Sequence, residues 1–407
     1  MQIAERMSLL GTETAFEVLA ECKRLEAEGR NMVSFCIGEP DFDTPKYIRK
    51  AAKAALDNGF THYGPSAGLP DARKRFAQYI TETRGVEYAS DEIVITPGAK
   101  PIIFFGLLAT VNPGDEVIYP NPGFPIYESM ISFIGAKPVP AALLEKKGFN
   151  FDVYKLKSLV TEKTKMIIIN SPHNPCGGVI PKEDLEEIAK LAVEKNIWVM
   201  SDEVYSRIQY DGKFESITQF PGMKERTILI EGHSKTYAMT GWRLGYGAMN
   251  KDLAAHIARL MTNSNSCTAT FTQMAGTEAY NGPQKDTERM VRKFKKRRNL
   301  IVEGLNSIPG FKCLKPKGAF YVFPNVTEAC KTAGFKDSKQ LQQFLLYRAN
   351  VAVLARTCFG RKNDGEAEEY IRLSYATSEE KITEGISRMK AALENRIMID
   401  EFMKSGK

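Results

Sequence analysis

The chain has 407 residues, of which 43% are hydrophobic, 26% charged and 10% aromatic, and its 56 basic and 49 acidic side chains give a formal charge of +7. This length predicts two domains, and the ordinary composition excludes extensive disorder and collagen-like sequence. The small charge excess does not indicate a nucleic-acid partner, and the densest basic run, RKFKKRR at 292–298, is better explained as the solvated face of a helix.

Cysteine and histidine spacing argues against disulfide or metal sites. Seven cysteines occur without CxxC spacing, and His62, His173, His233 and His256 lack the spacing of metal ligands. The start, MQIAERMSLLGTETAF, has no apolar stretch of signal length, and no uncharged run reaches the roughly 18 residues of a membrane helix. We therefore expect a cytoplasmic protein with reduced thiols, no metal and no membrane contact.

Short apolar runs alternate with segments of helical period between about residues 90 and 250. The runs are EIVIT (92–96), DEVIYP (115–120), KMIIIN (165–170), WVMSD (198–202), TILIEG (227–232) and LGYGAM (244–249). Between two of them, PKEDLEEIAKLAVEK (181–195) has its apolar residues on one face, as in an amphipathic helix. This alternation predicts an α/β fold with a mostly parallel sheet between helices.

After about residue 285 the pattern changes to that of a smaller α+β domain. A long charged helix from Gln284 to Ser307 precedes a second set of elements: GAFYVFP (318–324), a helix near 338–349, VAVLAR (351–356) and EYIRLSYA (369–376). A helix within 12–30 is expected to pack with this domain. We place an N-terminal arm and part of the small domain at 1–45, the large domain at 46–285 and the small domain at 286–407.

Polar residues of several kinds follow the predicted strands. In open α/β sheets, ligands bind beyond the carboxyl ends of the strands. These ends supply a glycine turn, an amide, an acid, a phenol and an amine: Gly98-Ala99-Lys100, Asn174, Asp202, Tyr205 and His233-Ser234-Lys235. Each alone has an ordinary explanation, such as a structural turn, a helix cap or a surface lysine.

Together these residues resemble the class I and II aminotransferases of fold type I, particularly the aspartate-type subgroup of bacteria and archaea. The matching motifs stand in order along almost the whole chain: GEPDFDTP (38–45), HYGPSAG (62–68), NPGFPIY (121–127), NSPHNP (170–175), SDEVY (201–205), SKTYAMTGWRLGY (234–246) and RLSYATS (372–378). The resemblance implies pyridoxal 5'-phosphate as cofactor. It also implies a large domain with a mostly parallel seven-stranded sheet and a smaller α+β domain.

The resemblance assigns one catalytic residue, Lys235, which would carry the cofactor as a Schiff base and move the proton of the substrate. Asp202 would pair with the pyridine nitrogen, because a carboxylate there favours the protonated, electron-accepting ring. The other implied cofactor contacts are Asn174 and Tyr205 to the ring oxygen O3′, Phe124 on the ring face, and Arg243, Ser234 and the amides of Ala99 and Lys100 on the phosphate. Tyr63 would reach the phosphate of a neighbouring subunit, which implies a homodimer with shared active sites.

Substrate contacts are implied at the other side of the site. Arg372 would bind the α-carboxylate, since a planar guanidinium suits a carboxylate bidentately, with contacts from Gly38 and Asn174. The sequence departs from the family at Cys176, which we expect to be an inert thiol, and at Gly232, where many relatives have a serine. It also has Arg356 in place of a usual glycine; this residue either reads the distal carboxylate of an acidic substrate or faces solvent.

The predicted activity is ping-pong transfer of an amino group from an L-amino acid to a 2-oxo acid, with 2-oxoglutarate as the expected acceptor. Aspartate, glutamate, alanine and aromatic amino acids all stay open as substrates, with acidic ones favoured. One alternative keeps the cofactor but cleaves a carbon–sulfur bond, as β-lyases do, and aminocyclopropane-carboxylate synthases share most of the motifs. The other is a non-catalytic regulator with the same fold.

Overall fold

The computed structural model describes residues 2–11 and 13–405. Its strands are β1 (Val33–Ser34), β2 (Ile93–Thr96), β3 (Glu116–Asn121), β4 (Lys137–Leu144), β5 (Asn150–Phe151), β6 (Thr164–Asn170), β7 (Trp198–Asp202), β8 (Thr227–Gly232), β9 (Gly245–Ala248), β10 (Tyr321–Val322), β11 (Val351–Ala352), β12 (Leu354–Ala355) and β13 (Ile371–Ser374). Its helices are α1 (Thr14–Ala27), α2 (Lys46–Asp57), α3 (Pro70–Arg84), α4 (Lys100–Thr110), α5 (Ile126–Phe133), α6 (Val153–Ser158), α7 (Lys182–Glu194), α8 (His233–Thr236), α9 (Lys251–Ser264), α10 (Thr270–Asn281), α11 (Lys285–Asn306), α12 (Thr327–Ala333), α13 (Ser338–Arg348), α14 (Glu379–Glu394) and α15 (Arg396–Ser405).

One large sheet has the strand order β2-β9-β8-β7-β6-β3-β4-β5. β8, β7, β6, β3 and β4 pair in parallel, whereas β9 is antiparallel to both β8 and β2. The six apolar runs of the sequence form six of these strands, and the predicted α/β fold with a mostly parallel sheet is confirmed. The seven strands expected are joined by an eighth, the two-residue β5, which pairs antiparallel with the end of β4.

The apolar runs are continuous because both faces of the sheet are covered. In β6, Met166 and Ile168 pack in one cluster with residues of α4, α5 and α9, whereas Ile167 and Ile169 pack in another with α7. Successive side chains of a strand point to opposite faces, so each face needs its own apolar residues. The central strands therefore carry no polar alternation, and their carboxyl ends are the first positions where polar side chains can gather.

The strand β4 gave no clear signal in the sequence. Its residues Pro138 and Pro140 pair with Val117 and Tyr119 of β3. Proline removes a backbone donor and is tolerated in sheets mainly on edge strands. β4 lies near the edge of the sheet, which explains both the prolines and the missed strand.

The remaining strands form two smaller sheets, β10-β13-β12 and β1-β11. The N-terminal helix α1 packs here, since its Cys22 and Leu25 share a cluster with Leu346 of α13. After α1, the Arg30 Nε group donates to Asn350 Oδ1 at 2.8 Å. The domain limits at 45 and 285 stay predictions.

The basic run 292–298 lies on α11, but the expectation of a wholly solvated face is wrong for two of its residues. Arg297 is 6% exposed and holds both carboxylate oxygens of Asp41, at 2.7 and 2.9 Å. Arg298 is 2% exposed and donates to Asp211 at 3.0 Å. These arginines join α11 to neighbouring loops. Across the described residues, no helix combines the length and apolarity that crossing a membrane requires.

Replacing Gly385 by alanine is predicted to destabilise the protein. A Cβ at Gly385 of α14 would lie 2.4 Å from a ring carbon of Phe35 and 3.1 Å from Val33. Overpacking of this kind costs about 1–3 kcal/mol, which exceeds the gain of up to about 1 kcal/mol in helix propensity. Denaturant unfolding should show the loss, whereas exposed Ser387→Ala on the same helix should change the free energy of unfolding little. Equal stability of Gly385→Ala and the parent would contradict this close contact.

Candidate active site

A cavity of about 360 Å³ lies at the carboxyl ends of the central strands. It brings together most of the residues singled out in the sequence: Gly38, Ala99, Lys100, Phe124, Asn174, Asp202, Tyr205, Ser234, Lys235, Arg243 and Arg372. They come from strand ends and loops more than 300 residues apart along the chain. The edge of the sheet therefore brings together residues that lie far apart in the sequence.

Lys235 lies in the short helix α8, directly after β8. Its Nζ donates to the carbonyl oxygen of Gly38 at 2.5 Å. Burial lowers the pKa of Lys235 to about 8, against the opposing effect of Glu39, and the positive charges of Arg372 and Arg243 lower it further. A larger share of this amine is therefore neutral at physiological pH than for an ordinary lysine, as a nucleophile or base requires.

Asp202 ends β7 and is 5% exposed. Its Oδ2 accepts a hydrogen bond from the Tyr127 hydroxyl at 2.6 Å, and its Oδ1 accepts a weaker one from the Val204 amide at 3.4 Å. Burial raises the pKa of Asp202 to about 6 despite these bonds, with a further increase from Glu231 and Glu203. Within residues 2–11 and 13–405, no cationic side chain forms an ion pair with this carboxylate, so a cationic ring nitrogen in the cavity would supply the missing partner.

A network of hydrogen bonds lies between the strand ends and Arg372. The backbone amide of Asn174 donates to Asn170 Oδ1 at 2.9 Å, and the side-chain Oδ1 of Asn174 accepts from Arg372 Nη1 at 3.3 Å. The hydroxyls of Tyr205 and Tyr321 are 2.7 Å apart. These side chains place hydroxyl and amide groups beside the cavity in fixed positions.

Arg372, on β13, is 4% exposed and its guanidinium lies over the rings of Tyr321 and Phe359, with centroid distances of 4.6 and 4.9 Å. One Nη group also contacts the Cys36 carbonyl, while Nε has no hydrogen-bond partner among the described residues. The aromatic rings hold the guanidinium plane in one orientation. Such a group is suited to a planar carboxylate.

The other end of the cavity fits an anion. Gly98 has a φ of +89°, and a Cβ there would lie 2.4 Å from Nη2 of Arg243. A Cβ at Gly245 would lie 2.5 Å from the Ala99 amide nitrogen. The two glycines thus let Arg243 and β9 approach the turn that begins α4, where unpaired amides and a guanidinium meet. This matches the donor set that a phosphate needs.

The structure leaves two of the predicted site residues outside this cavity. Tyr63 is 90% exposed and does not line it within one chain. Arg356 is fully buried, and its guanidinium holds Glu366 at 2.6 and 2.8 Å and Asn121 at 3.1 Å. Neither alternative for Arg356, a substrate contact or a solvent-facing side chain, agrees with this placement, because its donors are used inside the protein.

The departures at Cys176 and Gly232 have simple structural settings. Cys176 is buried, and burial holds the pKa of its thiol well above the ordinary value, as expected for an inert cysteine. Gly232 lines the cavity, and a Cβ there would meet only ordinary contacts, the nearest at 3.6 Å. No group of three or more His, Cys, Asp or Glu residues suited to a metal occurs within the described ranges.

The sequence analysis does not single out several residues in or beside the cavity. Asn170, Tyr321, Glu13 and Glu39 line the cavity, and Asn170 also holds the Asn174 backbone amide. Tyr127 lies behind Asp202 and donates to it. Tyr127 is the last residue of the motif NPGFPIY, and Asn170 is the first residue of NSPHNP. The motifs could therefore have indicated both residues. Glu13 lies in the N-terminal segment, far in sequence from any motif, and its ion pair with Lys100 could not be foreseen.

Comparison with known proteins identifies a family. A family model described as Aminotransferase class I and II matches residues 30–389. The probable aspartate/prephenate aminotransferase of Aquifex aeolicus (strain VF5) is 41% identical over 396 residues, covering 96% of this chain and 98% of that protein. The aromatic-amino-acid aminotransferase 2 of Thermococcus litoralis is 37% identical over 98% of this chain and 100% of its own.

The fold is shared with solved structures of the same family. The crystal structure of the aspartate aminotransferase from Rhizobium meliloti matches with a TM-score of 0.91 and 34% identity, covering 97% of this chain and 99% of that one. Nothing in these comparisons favours a carbon–sulfur lyase. The chain therefore belongs to the class I and II aminotransferases and is a pyridoxal-phosphate-dependent enzyme that transfers amino groups.

Proposed function

We propose that the enzyme moves the amino group of an L-amino acid to 2-oxoglutarate in two alternating half-reactions, with Lys235 as the catalytic base. The observation that carries this proposal is the lining of one cavity. It contains a buried acid with no cationic partner among residues 2–11 and 13–405, an amine of lowered pKa, and the two arginines Arg243 and Arg372. This pattern complements a cationic ring nitrogen, a phosphate and a carboxylate at once.

When bound, pyridoxal phosphate supplies an aldehyde that takes up the amino group and a ring that accepts the electrons of the substrate's Cα–H bond. Asp202 would face the ring nitrogen, Tyr205 and Asn174 the ring hydroxyl, and Phe124 the ring face. Arg243, Ser234 and the amides of Ala99 and Lys100 would hold the phosphate. The Lys235 amine would hold the aldehyde in the resting enzyme and, once released by substrate, carry the Cα proton.

Arg372 would bind the substrate α-carboxylate. Its Nε is free of partners among the described residues, and its contacts to the Asn174 side chain and the Cys36 carbonyl can be exchanged for carboxylate oxygens. The Gly38 backbone lies beside Lys235 and would contact the same substrate group. Binding the carboxylate at a fixed place orients Cα toward the lysine.

We propose acidic substrates, aspartate or glutamate, ahead of alanine and aromatic amino acids. The names of the relatives support this order, since they include aspartate/prephenate and aspartate aminotransferases, although one is an aromatic-amino-acid enzyme. Arg356 gives no support to this order, because it is fully buried and paired with Glu366.

A homodimer with shared sites is part of the same proposal. Tyr63 is 90% exposed, and the N-terminal segment exposes large apolar side chains that a partner subunit would cover: Ile3, Met7, Leu9, Leu10 and Phe16. The free state of the seven cysteines supports a cytoplasmic location.

Lys235→Ala is expected to lose both amino transfer and the absorbance that pyridoxal phosphate acquires on joining a lysine. Removing the only proposed base should lower kcat by several orders of magnitude. Borohydride reduction followed by peptide mapping should label the parent at Lys235 and leave the variant unlabelled. Exposed Lys146→Ala is the matched control and should behave as the parent. Normal turnover by Lys235→Ala would refute the assignment.

Asp202→Asn should stabilise the cofactor-free protein at neutral pH. The folded carboxyl has a pKa of about 6 against an ordinary 3.8, so it holds its proton more tightly folded than unfolded. The free energy of unfolding of the parent therefore falls by up to about 3 kcal/mol as the pH rises from about 4 through 6. The variant has no carboxyl group at this position and does not show this loss. Unfolding at pH 4 and 7.5 measures the difference, which should vanish at the lower pH.

The same variant should bind pyridoxal phosphate more weakly than the parent, because it cannot pair with a protonated ring nitrogen. Added cofactor should then raise the melting temperature of the parent more than that of Asp202→Asn. A variant that is less stable at every pH, or that binds the cofactor equally well, would contradict the role of Asp202.

Arg372→Lys should raise KM for every amino acid by about 10–100-fold, since a charge-assisted hydrogen bond contributes about 1.5–3 kcal/mol and lysine lacks the planar fork. Arg356→Ala is the contrasting variant. It should lower the melting temperature and leave the relative use of glutamate, aspartate and alanine unchanged, because Arg356 is buried against Glu366. Steady-state kinetics with the three amino acids decides. A selective loss of acidic substrates in Arg356→Ala would restore its substrate role.

A further inference from the structure

Three carboxylates lie together at the ends of two neighbouring strands, behind the cavity. Asp202 and Glu203 stand at the end of β7, and Glu231 is the penultimate residue of β8. They are 5%, 1% and 2% exposed. Like charges this close and this deep repel one another and would drive the strand ends apart unless a cation compensates them.

Arg84 supplies that cation. It is the last residue of α3 and is 2% exposed. Its Nε donates to Glu203 at 3.0 Å and its Nη2 donates to Glu231 at 2.5 Å. One guanidinium therefore contacts both strands, β7 through Glu203 and β8 through Glu231.

The rest of the hydrogen-bonding capacity of these two glutamates is used nearby. Glu203 accepts from Ser201 and Ser216 at 2.9 and 2.6 Å. Glu231 accepts from the Ser206 hydroxyl at 2.8 Å and from the Gly232 amide at 3.0 Å. A cluster with this many fixed partners has one geometry rather than several.

The two strands linked by Arg84 carry the two groups that must meet opposite ends of the same cofactor. Asp202 directly precedes Glu203, and Lys235 follows Glu231 by four residues. The strands are already in register here, since Asp202 pairs with Ile230 and the Glu203 amide donates to the Ile230 carbonyl at 2.9 Å. The pairing between β7 and β8 ends at this point, and beyond it the backbone bonds of the two segments are made elsewhere, by β8 with β9 and by Asp202 with Ser171. A direct link between the two diverging segments must therefore come from side chains.

We propose that Arg84 is a positioning residue of the active site: its guanidinium links the strand end that carries Asp202 to the strand end that carries Lys235 and so fixes the separation of acid and amine. A lysine would keep the charge but not the fork that reaches two carboxylates at once. This inference rests on the proposed roles of Asp202 and Lys235.

The test compares Arg84→Lys with Arg356→Lys. Arg356 is also fully buried and paired with a glutamate, but its partner Glu366 does not line the cavity. Three quantities are measured on each full-length protein: the melting temperature, the dissociation constant of pyridoxal phosphate by absorbance titration of the cofactor-free protein, and kcat and KM for amino transfer.

Both variants should melt at lower temperature than the parent. Arg84→Lys alone should also bind pyridoxal phosphate more weakly and lose about 10–100-fold in kcat with little change in KM, because a displacement of about 1 Å at the reacting atoms has an effect of this size. If Arg84→Lys melts lower, as Arg356→Lys does, but keeps parental cofactor affinity and kcat, Arg84 is purely structural and the inference is wrong.

Glu231→Gln is a second variant for the case in which Arg84→Lys does not fold. It keeps the shape of the side chain and removes the charge that Arg84 contacts on β8. Smaller losses of cofactor affinity and kcat in the same direction support the inference, and parental values of both overturn it. Borohydride labelling of the parent at Lys235 distinguishes a failure of the proposed function from a failure of this inference. If the parent is not labelled there, the proposed function is wrong, whatever Arg84→Lys shows.

Discussion

The buried carboxylate of Asp202 is the constraint on which the rest of the site depends. A carboxylate taken out of water needs a cation or several hydrogen bonds. Within the described part of the chain, Asp202 has only the Tyr127 hydroxyl and a long contact to a backbone amide. The protein by itself therefore leaves this group poorly compensated, and its pKa of about 6 reports that state. A cationic ring bound here, as we propose, would supply the missing charge and would couple the stability of the fold to the cofactor through one side chain.

Several cations also line the cavity. Lys235, Arg243 and Arg372 are among them, and the two arginines add to the effect of burial in lowering the pKa of the lysine. Their mutual repulsion is tolerable if anionic groups of cofactor and substrate are to lie among them. In the proposed roles, the arginines that would bind phosphate and carboxylate also add to the effect of burial in keeping the lysine amine neutral.

The sequence predicted those parts of the protein in which burial leaves a simple trace. Six strands of the large sheet form apolar runs in the sequence because both faces of the sheet are covered, whereas Pro138 and Pro140 obscure β4. The polar side chains that directly follow strands could be predicted, because the carboxyl ends of parallel strands meet at one edge of the sheet. The burial of Arg356 could not be predicted, because a sequence shows charge but not burial. Its partner Glu366 lies ten residues away in a loop, and no periodicity joins the two. The burial of Arg297 and Arg298 could not be predicted for the same reason.

Buried ion pairs add little to stability by themselves, since well-packed apolar residues in their place are often as stable or more so. A fold selected for stability alone would not keep Arg84, Glu203 and Glu231 out of water at the ends of two central strands. The free energy that is lost by burying these charges is explained if the three residues serve to fix geometry and not to stabilise the fold. Apolar side chains pack with some tolerance in position, whereas a guanidinium that contacts two carboxylates fixes direction and distance together. Close to these residues in sequence are Asp202 and Lys235, which we propose face one cofactor ring, and there a displacement of the side chains would matter most.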